Sequence, residues 1–250
     1  MAKRTPPPAV LADACVLVKD VVSFSLFDLH TAGLIELYWT PEIEAEYIEH
    51  RARLRAEAEG RTTEPADLMW SSRRIDVVKK HLVPSSAPPG WTMETTLSKV
   101  ENEARYAPLQ AMKDKDDIHV ATAAGYLADK LGRSAILVST NLQDLPQTLL
   151  TPMGVVGMHP GTLLDLLYAS QPEAVSASLL KTSADFKNPP IPPAKMLVSI
   201  WSSNQFDNPD LSAKLAIDWA TAPEPAKPKE KGATKGKGRS KATPEDGQAL

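Results

Sequence analysis

The sequence predicts an α/β fold in which helices flank a central parallel sheet, followed by a small helical appendage and a disordered tail. The apolar fraction of 42% over 250 residues is enough for a sizeable core. Between Ala9 and about Ala169, short apolar runs alternate with helical patterns, which is typical of a parallel sheet. From Thr221 onward Pro, Lys, Gly, Ala and Ser dominate, which favours disorder. We therefore divide the chain into residues 9–169, 170–220 and 221–250.

Four short apolar runs are the predicted strands of the sheet. They are Ala9–Asp13, Leu37–Trp39, Ile136–Ser139 and Val155–Met158. Helical periodicity fills the stretches between and after them, at Phe24–Ala32, Glu42–Glu59, Leu68–His81, Leu97–Tyr106, Asp117–Leu131 and Thr162–Ala169. Thr40 and Pro41 suit the start of the second helix, because threonine can cap it and proline fits its first turn. Strand and helix thus alternate as a parallel sheet requires.

The appendage is predicted to be two helices separated by a proline-rich segment. Pro172–Phe186 can form a helix, and the prolines between Asn188 and Pro193 end it. Ala194–Trp201 then resumes with four large apolar residues on one face: Met196, Leu197, Ile200 and Trp201. This face is expected to pack on the rest of the protein.

The charge of the chain is unevenly distributed. The net charge is −3, but the segment from Glu224 to Leu250 has seven basic and four acidic residues. The remainder is therefore acidic, which disfavours simple electrostatic adhesion to nucleic acid. Any chemistry on RNA would need bridging metal ions or local basic patches.

The single cysteine, Cys15, excludes a disulfide within the chain. We read neither a signal peptide nor an apolar stretch approaching the ~20 residues of a membrane span. These features favour a reducing cytoplasm. Cys15 itself is interpreted as a small buried apolar residue.

Four acids stand where strands are predicted to end or where the following helices begin. They are Asp13, Glu46, Asp117 and Asp144. Each alone has an ordinary explanation, since an acid there can cap a helix or favour its positive end. In a parallel sheet, however, these positions share one edge of the molecule. The four carboxylates are therefore expected to meet.

Helical geometry separates the candidate acids from their neighbours. Glu46 lies at the border of the packing side of its helix, whereas Glu42, Glu44 and Glu49 point further away and are expected to be solvated. Asp117 shares a face with Val120, Ala121, Ala124, Ala128 and Leu131. His119 points elsewhere and is interpreted as a surface or packing residue. Ser139, Thr140 and Asn141 are expected to tie together the loop before Asp144.

Clustered carboxylates repel one another unless a cation neutralises them. Hard oxygen ligands suit Mg²⁺ or Mn²⁺, which can activate a water molecule and stabilise charge on a phosphodiester. The sequence has no His/Cys cluster for zinc, no Ser–His–Asp constellation and no glycine-rich phosphate loop. Metal-dependent hydrolysis is thus the favoured chemistry.

As an ordered set, these segments resemble the PIN-domain family, in particular the VapC-type toxins of toxin–antitoxin modules. The resemblance covers about two-thirds of the chain and is carried by Val10–Leu17, Trp39–Glu46, Asp114–Ala121 and Val138–Pro146. It implies a PIN-like three-layer fold and an endoribonuclease whose Mg²⁺ or Mn²⁺ ligands are Asp13, Glu46, Asp117 and Asp144. It also implies an RNA substrate, a small antitoxin partner and a homodimer.

The chain departs from the family pattern at two positions. Ala14 stands where members usually have Asn or Thr, which removes a supporting hydrogen bond, and Leu145 stands where they usually have Phe. Glu44 is the alternative to Glu46 as the ligand on the helix.

Two other functions remain open. The protein could be a catalytically degenerate PIN-like module that binds RNA or protein through its C-terminal helices and basic tail. A phosphatase with Asp13 as nucleophile is disfavoured, because such enzymes generally carry an Asp-x-Asp motif and position 15 is Cys15.

Overall fold

The computed structural model describes residues 6–81, 88, 91, 93–187 and 190–201. The strands of this part of the chain are β1 (Ala9–Ala12), β2 (Glu36–Tyr38), β3 (Ala135–Val138) and β4 (Val155–Met158). Its α-helices are α1 (Ala14–Leu17), α2 (Asp20–Thr31), α3 (Pro41–Ala58), α4 (Pro65–His81), α5 (Met93–Asn102), α6 (Ile118–Leu131), α7 (Gln147–Leu150), α8 (Pro160–Ser170), α9 (Pro172–Asp185) and α10 (Pro193–Trp201). The predicted tail and residues 202–220 of the appendage lie outside the described residues.

The four strands form one parallel sheet in the order β2-β1-β3-β4. This confirms the predicted α/β class with a central parallel sheet flanked by helices. The two inner strands, β1 and β3, are buried along their whole length. Burial on both faces explains why they read as continuous apolar runs rather than as alternating ones.

The sheet order creates a crevice above β1. From β1 the chain crosses to β2 on one side, whereas β3 and β4 lie on the other side. In open parallel sheets such a reversal of direction leaves a cleft outside the carboxyl ends of the strands. The residues that follow β1 and β3 therefore face a common opening.

All four strands fall within one residue of their predicted bounds, and β4 falls on them. The helices agree less well at their ends. The second helix, α2, begins at Asp20, four residues before the predicted start at Phe24, because Lys19 is extended and separates it from the short α1. The fifth helix, α5, is displaced four residues toward the N-terminus from the predicted Leu97–Tyr106. In contrast, α3 starts where its cap predicts, since the Thr40 hydroxyl accepts a hydrogen bond from the Ile43 amide at 3.2 Å.

The described part of the appendage packs on the body, as predicted. Helix α9 lies mainly against α2, and α10 contacts α2, α8 and α9. The four apolar residues of α10 belong to the same buried cluster as the sheet. The Trp201 indole sits so close to Gly161 of α8 that a Cβ there would lie 2.9 Å from its Nε1 atom. Glycine is what lets this indole approach the helix.

Within the described residues, no helix has both the length and the apolar character needed to cross a membrane.

Candidate metal centre

Asp13 follows β1 and turns its carboxylate into the crevice. Its amide continues the sheet by donating to the Val138 carbonyl at 3.0 Å. Although Asp13 precedes α1, its side chain makes no capping hydrogen bond with that helix. The residue is only 5% exposed, and its Oδ2 atom accepts from Ser139 Oγ at 2.8 Å and from Cys15 Sγ at 3.0 Å. Helix capping therefore does not explain this buried acid.

Cys15 is a hydrogen-bonding residue and not the purely apolar one that the sequence indicated. Besides donating to Asp13, its sulfur accepts from the hydroxyl and the amide of Thr140 at 3.2 and 3.3 Å. Burial, followed by the negative charge of Asp13, raises the pKa of Cys15 to about 11. The thiol thus keeps its proton at neutral pH and acts as a donor, which offsets the hydrogen bond that Ala14 lacks.

Asp117 lies at the N-terminus of α6 and meets two other aspartates there. Carboxylate oxygens of Asp114, Asp117 and Asp144 all lie within 4.8 Å of one another. Asp117 makes no capping hydrogen bond, and its buried Oδ2 atom has no hydrogen-bond partner. Asp144 is oriented by Asn141, whose side-chain amide donates to its Oδ2 atom at 2.6 Å. The three acids form an oxygen-rich group with an unsatisfied oxygen at its centre.

Glu46 is in the second turn of α3 and faces the same opening. Its Oε1 atom lies 3.3 Å from the Nε2 atom of His119. His119 is itself oriented by a contact of 2.6 Å between its Nδ1 atom and the Asp116 carbonyl. His119 therefore packs against a candidate ligand, although the helical pattern placed it elsewhere.

Glu44, the alternative to Glu46, is engaged in other contacts. It accepts from the Trp39 indole at 3.1 Å and from the Lys79 ammonium at 2.9 Å. Its charge is thus compensated by α4. Between the two glutamates, the geometry favours Glu46.

Neighbouring negative charges also raise the pKa values of two of these acids. Burial, followed by the charges of Asp13, Asp114, Asp144 and Glu46, raises the pKa of Asp117 to about 7. Burial, followed by the charges of Asp13, Asp116, Glu49 and Asp114, raises the pKa of Glu46 to about 7. Asp117 is therefore coupled electrostatically to the other three predicted acids, and Glu46 is coupled to Asp13. Of the four, however, only Asp117 and Asp144 belong to the group of described acids within 4.8 Å, whose third member is Asp114.

Three of the four predicted acids line a cleft of about 570 Å³ between the sheet edge and the α3–α4 hairpin, whereas Asp144 is not among the residues that line it. It is lined by Asp13, Ala14, Cys15, Glu46, Glu49, His50, Arg53, Thr63, Leu68, Asp117 and Asn141. Glu49 lines this cleft and is exposed, as expected for a solvated face. That expectation was wrong for Glu44, which is held by Trp39 and Lys79.

These donors fit a hard divalent cation. Carboxylate oxygens are the preferred ligands of Mg²⁺ and Mn²⁺, and an unpartnered buried oxygen is costly until a cation or donor satisfies it. Asp114 was missed as a member of the group, since it lies in a loop where periodicity carries no signal. Its spacing of three residues from Asp117 was the only available clue.

No family model, curated protein or solved structure matches this chain. The resemblance to the PIN-domain family accordingly stays a prediction from the sequence.

Proposed function

We propose that the protein is a Mg²⁺- or Mn²⁺-dependent endoribonuclease of the PIN type, with Asp13, Glu46, Asp117 and Asp144 as metal ligands and Asp114 as a further acid of the site. We further propose that it is the toxin of a toxin–antitoxin pair, as the sequence resemblance implies. The observation that supports the metal site best is the buried Asp117 oxygen, which has no hydrogen-bond partner and is surrounded by other carboxylates.

A cation explains why these acids are gathered without counter-charges. Burial, followed by repulsion from neighbouring carboxylates, raises the pKa of Asp117 and of Glu46 to about 7, so both groups partly hold protons at neutral pH. A divalent cation would replace those protons and offset the repulsion. Zinc is disfavoured, since the donor set is oxygen-rich and Cys15 keeps its proton.

The protein side chains around the acids have positioning roles in this proposal. Ser139 and Cys15 hold one oxygen of Asp13, Asn141 holds one oxygen of Asp144, and His119 lies against Glu46. Such partners fix the direction in which a ligand presents its oxygen. A bound cation would activate water and stabilise the charge of a phosphodiester.

The Asp13→Asn variant tests the proposal. It should abolish Mg²⁺- or Mn²⁺-dependent cleavage of single-stranded RNA while leaving the circular dichroism spectrum unchanged. Asp165→Asn is a matched control, because burial also raises the pKa of Asp165 to about 7 but this residue of α8 is not among the cleft residues. The control should cleave like wild type.

Calorimetric titration with Mn²⁺ separates the nuclease from a degenerate binding module. Wild type and Asp165→Asn should bind the ion, and Asp13→Asn should bind it more weakly. Undiminished cleavage by a clean Asp13→Asn preparation would refute the nuclease, and no specific Mn²⁺ binding would favour the binding module.

A further inference from the structure

One wall of the cleft is a single face of α3. Glu46, Glu49, His50 and Arg53 all line it, and their spacing of three, four and seven residues places them on one side of a helix. Arg53 is the only lysine or arginine among the residues that line this cleft. It lies roughly 10 Å along the helix axis from Glu46, given a rise of about 1.5 Å per residue. The cleft thus has acids at one end and a cation further along.

Arg53 is available for a ligand. It lies 3.8 Å from Glu57, and both side chains are 60% exposed, so this contact holds the guanidinium weakly. Most other arginines of the described chain are tied to carboxylates within 3.5 Å, namely Arg51, Arg55, Arg61, Arg74, Arg105 and Arg133. The fold therefore uses most of its arginines internally and leaves this one exposed at the cleft.

The neighbouring histidine does not add a second permanent charge. Burial, followed by the charge of Arg53, lowers the pKa of His50. His50 is therefore neutral at pH 7, and Arg53 provides the positive charge on this wall.

We infer that Arg53 binds a phosphate beside the scissile one, so that the cleft takes an RNA strand laid along α3. This inference rests on the proposed nuclease function. An acidic cleft repels a polyanion except where a cation lies, and guanidinium groups bind phosphate oxygens in a bidentate manner. The distance between Glu46 and Arg53 can be spanned by an extended strand within a few nucleotides. The preferred substrate is then an oligonucleotide, with Arg53 determining the preference for length.

Cleavage of two substrates tests this role of Arg53. A dinucleoside monophosphate carries only the scissile phosphate, whereas a single-stranded oligoribonucleotide also carries flanking ones. Arg53→Ala should lower kcat/KM on the oligonucleotide about tenfold, the effect of losing a hydrogen bond to a charged group, and leave the dinucleotide unchanged. The matched control is Arg73→Ala, since Arg73 is an arginine of α4 that contacts Met69 and does not line the cleft.

Binding in the Asp13→Asn background tests Arg53 without any catalysis. Anisotropy of a labelled oligoribonucleotide should show weaker binding when Arg53→Ala is added, and the slope of log K against log salt should fall by about 0.7, the value for one phosphate contact on a single strand. Adding Arg73→Ala should change neither.

The outcomes distinguish the two proposals. Equal effects of the two arginine variants, equal losses on both substrates, or no RNA binding would overturn the role of Arg53. If wild type cleaves neither substrate, the nuclease proposal fails, and the binding measurement still decides whether Arg53 contacts phosphate.

Discussion

Two aspartates at the beginnings of helices, one buried and one half-buried, behave in opposite ways. Asp67 of α4 is 1% exposed and accepts from both terminal nitrogens of Arg61, at 2.5 and 2.8 Å, and from the Glu64 amide. These bonds hold the pKa of Asp67 well below its usual range. Asp117 has an unpartnered buried oxygen and a pKa raised to about 7. An acid that stabilises the hairpin, Asp67, is thus paired with an arginine, whereas the acid at the cleft, Asp117, has no such counter-charge.

The same contrast holds between the place where α3 and α4 meet α2 and the sheet edge. Arg51 of α3 and Arg74 of α4 are paired with Asp20 of α2 at 2.8 and 3.1 Å. Both of these guanidinium groups also lie over the Trp70 ring, at 5.6 and 5.5 Å from its centroid. Charge is balanced inside the protein on this side. At the sheet edge, no lysine or arginine of the described residues forms an ion pair with Asp13, Asp117 or Asp144.

The largest effect is expected when the charge of each aspartate is removed in a separate variant. Asp117→Asn should reduce metal-dependent RNA cleavage more than about 100-fold, because loss of even a partner of a metal ligand costs 10–100-fold. It should also stabilise the metal-free protein, since it removes repulsion. Asp67→Asn should lower the melting temperature and leave kcat unchanged in the folded fraction.

Cleavage assays measure the activity of the two variants, and thermal unfolding in EDTA measures their stability without metal. A metal-free Asp117→Asn protein that is less stable than wild type would contradict the contrast, because it would mean that the Asp117 charge is compensated in the fold.

A smaller effect on metal binding and cleavage is expected from substituting two glutamates of α3 one at a time. Glu46→Gln should weaken Mn²⁺ binding and cleavage by about 10–100-fold. Glu44→Gln keeps a hydrogen-bond acceptor for Trp39 and loses only a partly exposed ion pair with Lys79. Such a pair contributes about 0–1 kcal/mol, so activity should be retained. Calorimetry on both variants decides, and equal losses of Mn²⁺ affinity would restore Glu44 as a ligand.

The smallest effect concerns pH and stability without metal. The raised pKa values of Asp117 and Glu46, both about 7, mean that the folded chain holds protons which the unfolded chain has released. Unfolding therefore releases protons, and in EDTA these two groups should lower stability as pH rises from about 5 to about 7. Urea unfolding across this range should show a steeper decline for wild type than for Asp117→Asn.

Addition of Mn²⁺ should reverse the trend, because the ion binds the deprotonated, folded form. Identical pH profiles for wild type and Asp117→Asn in EDTA would show that Asp117 does not titrate in this range.

The fold was more predictable than the exact helix ends. Fully buried strands such as β1 are predicted by their apolar runs, and the Thr40-Pro41 pair predicts the start of α3. The start of α2 was wrong because the extended Lys19 follows from packing and not from a local pattern. The displaced α5 has the same origin, since its neighbours in space are α6 and a 3₁₀ turn (Ala107–Ala111).

In the candidate site, periodicity predicted which acids face inward but not what surrounds them. Asp13 and Asp117 were identified from their places after a strand and before a helix. The hydrogen bond from Ser139 to Asp13 joins the ends of β3 and β1, which are 126 positions apart, and the bonds from Thr140 to Cys15 span 125 positions. The neutralisation of Glu44 by Lys79 likewise depends on the packing of α4. Contacts of this kind leave no local pattern.

The lone cysteine is a poor attachment point for labels, although the sequence contains a single sulfhydryl. Its thiol is hydrogen-bonded to Asp13 and keeps its proton at neutral pH, so a maleimide dye should react with it slowly. Because Cys15 borders the cleft, a label coupled there would obstruct the opening. Surface tethering should therefore use an amine or a terminus.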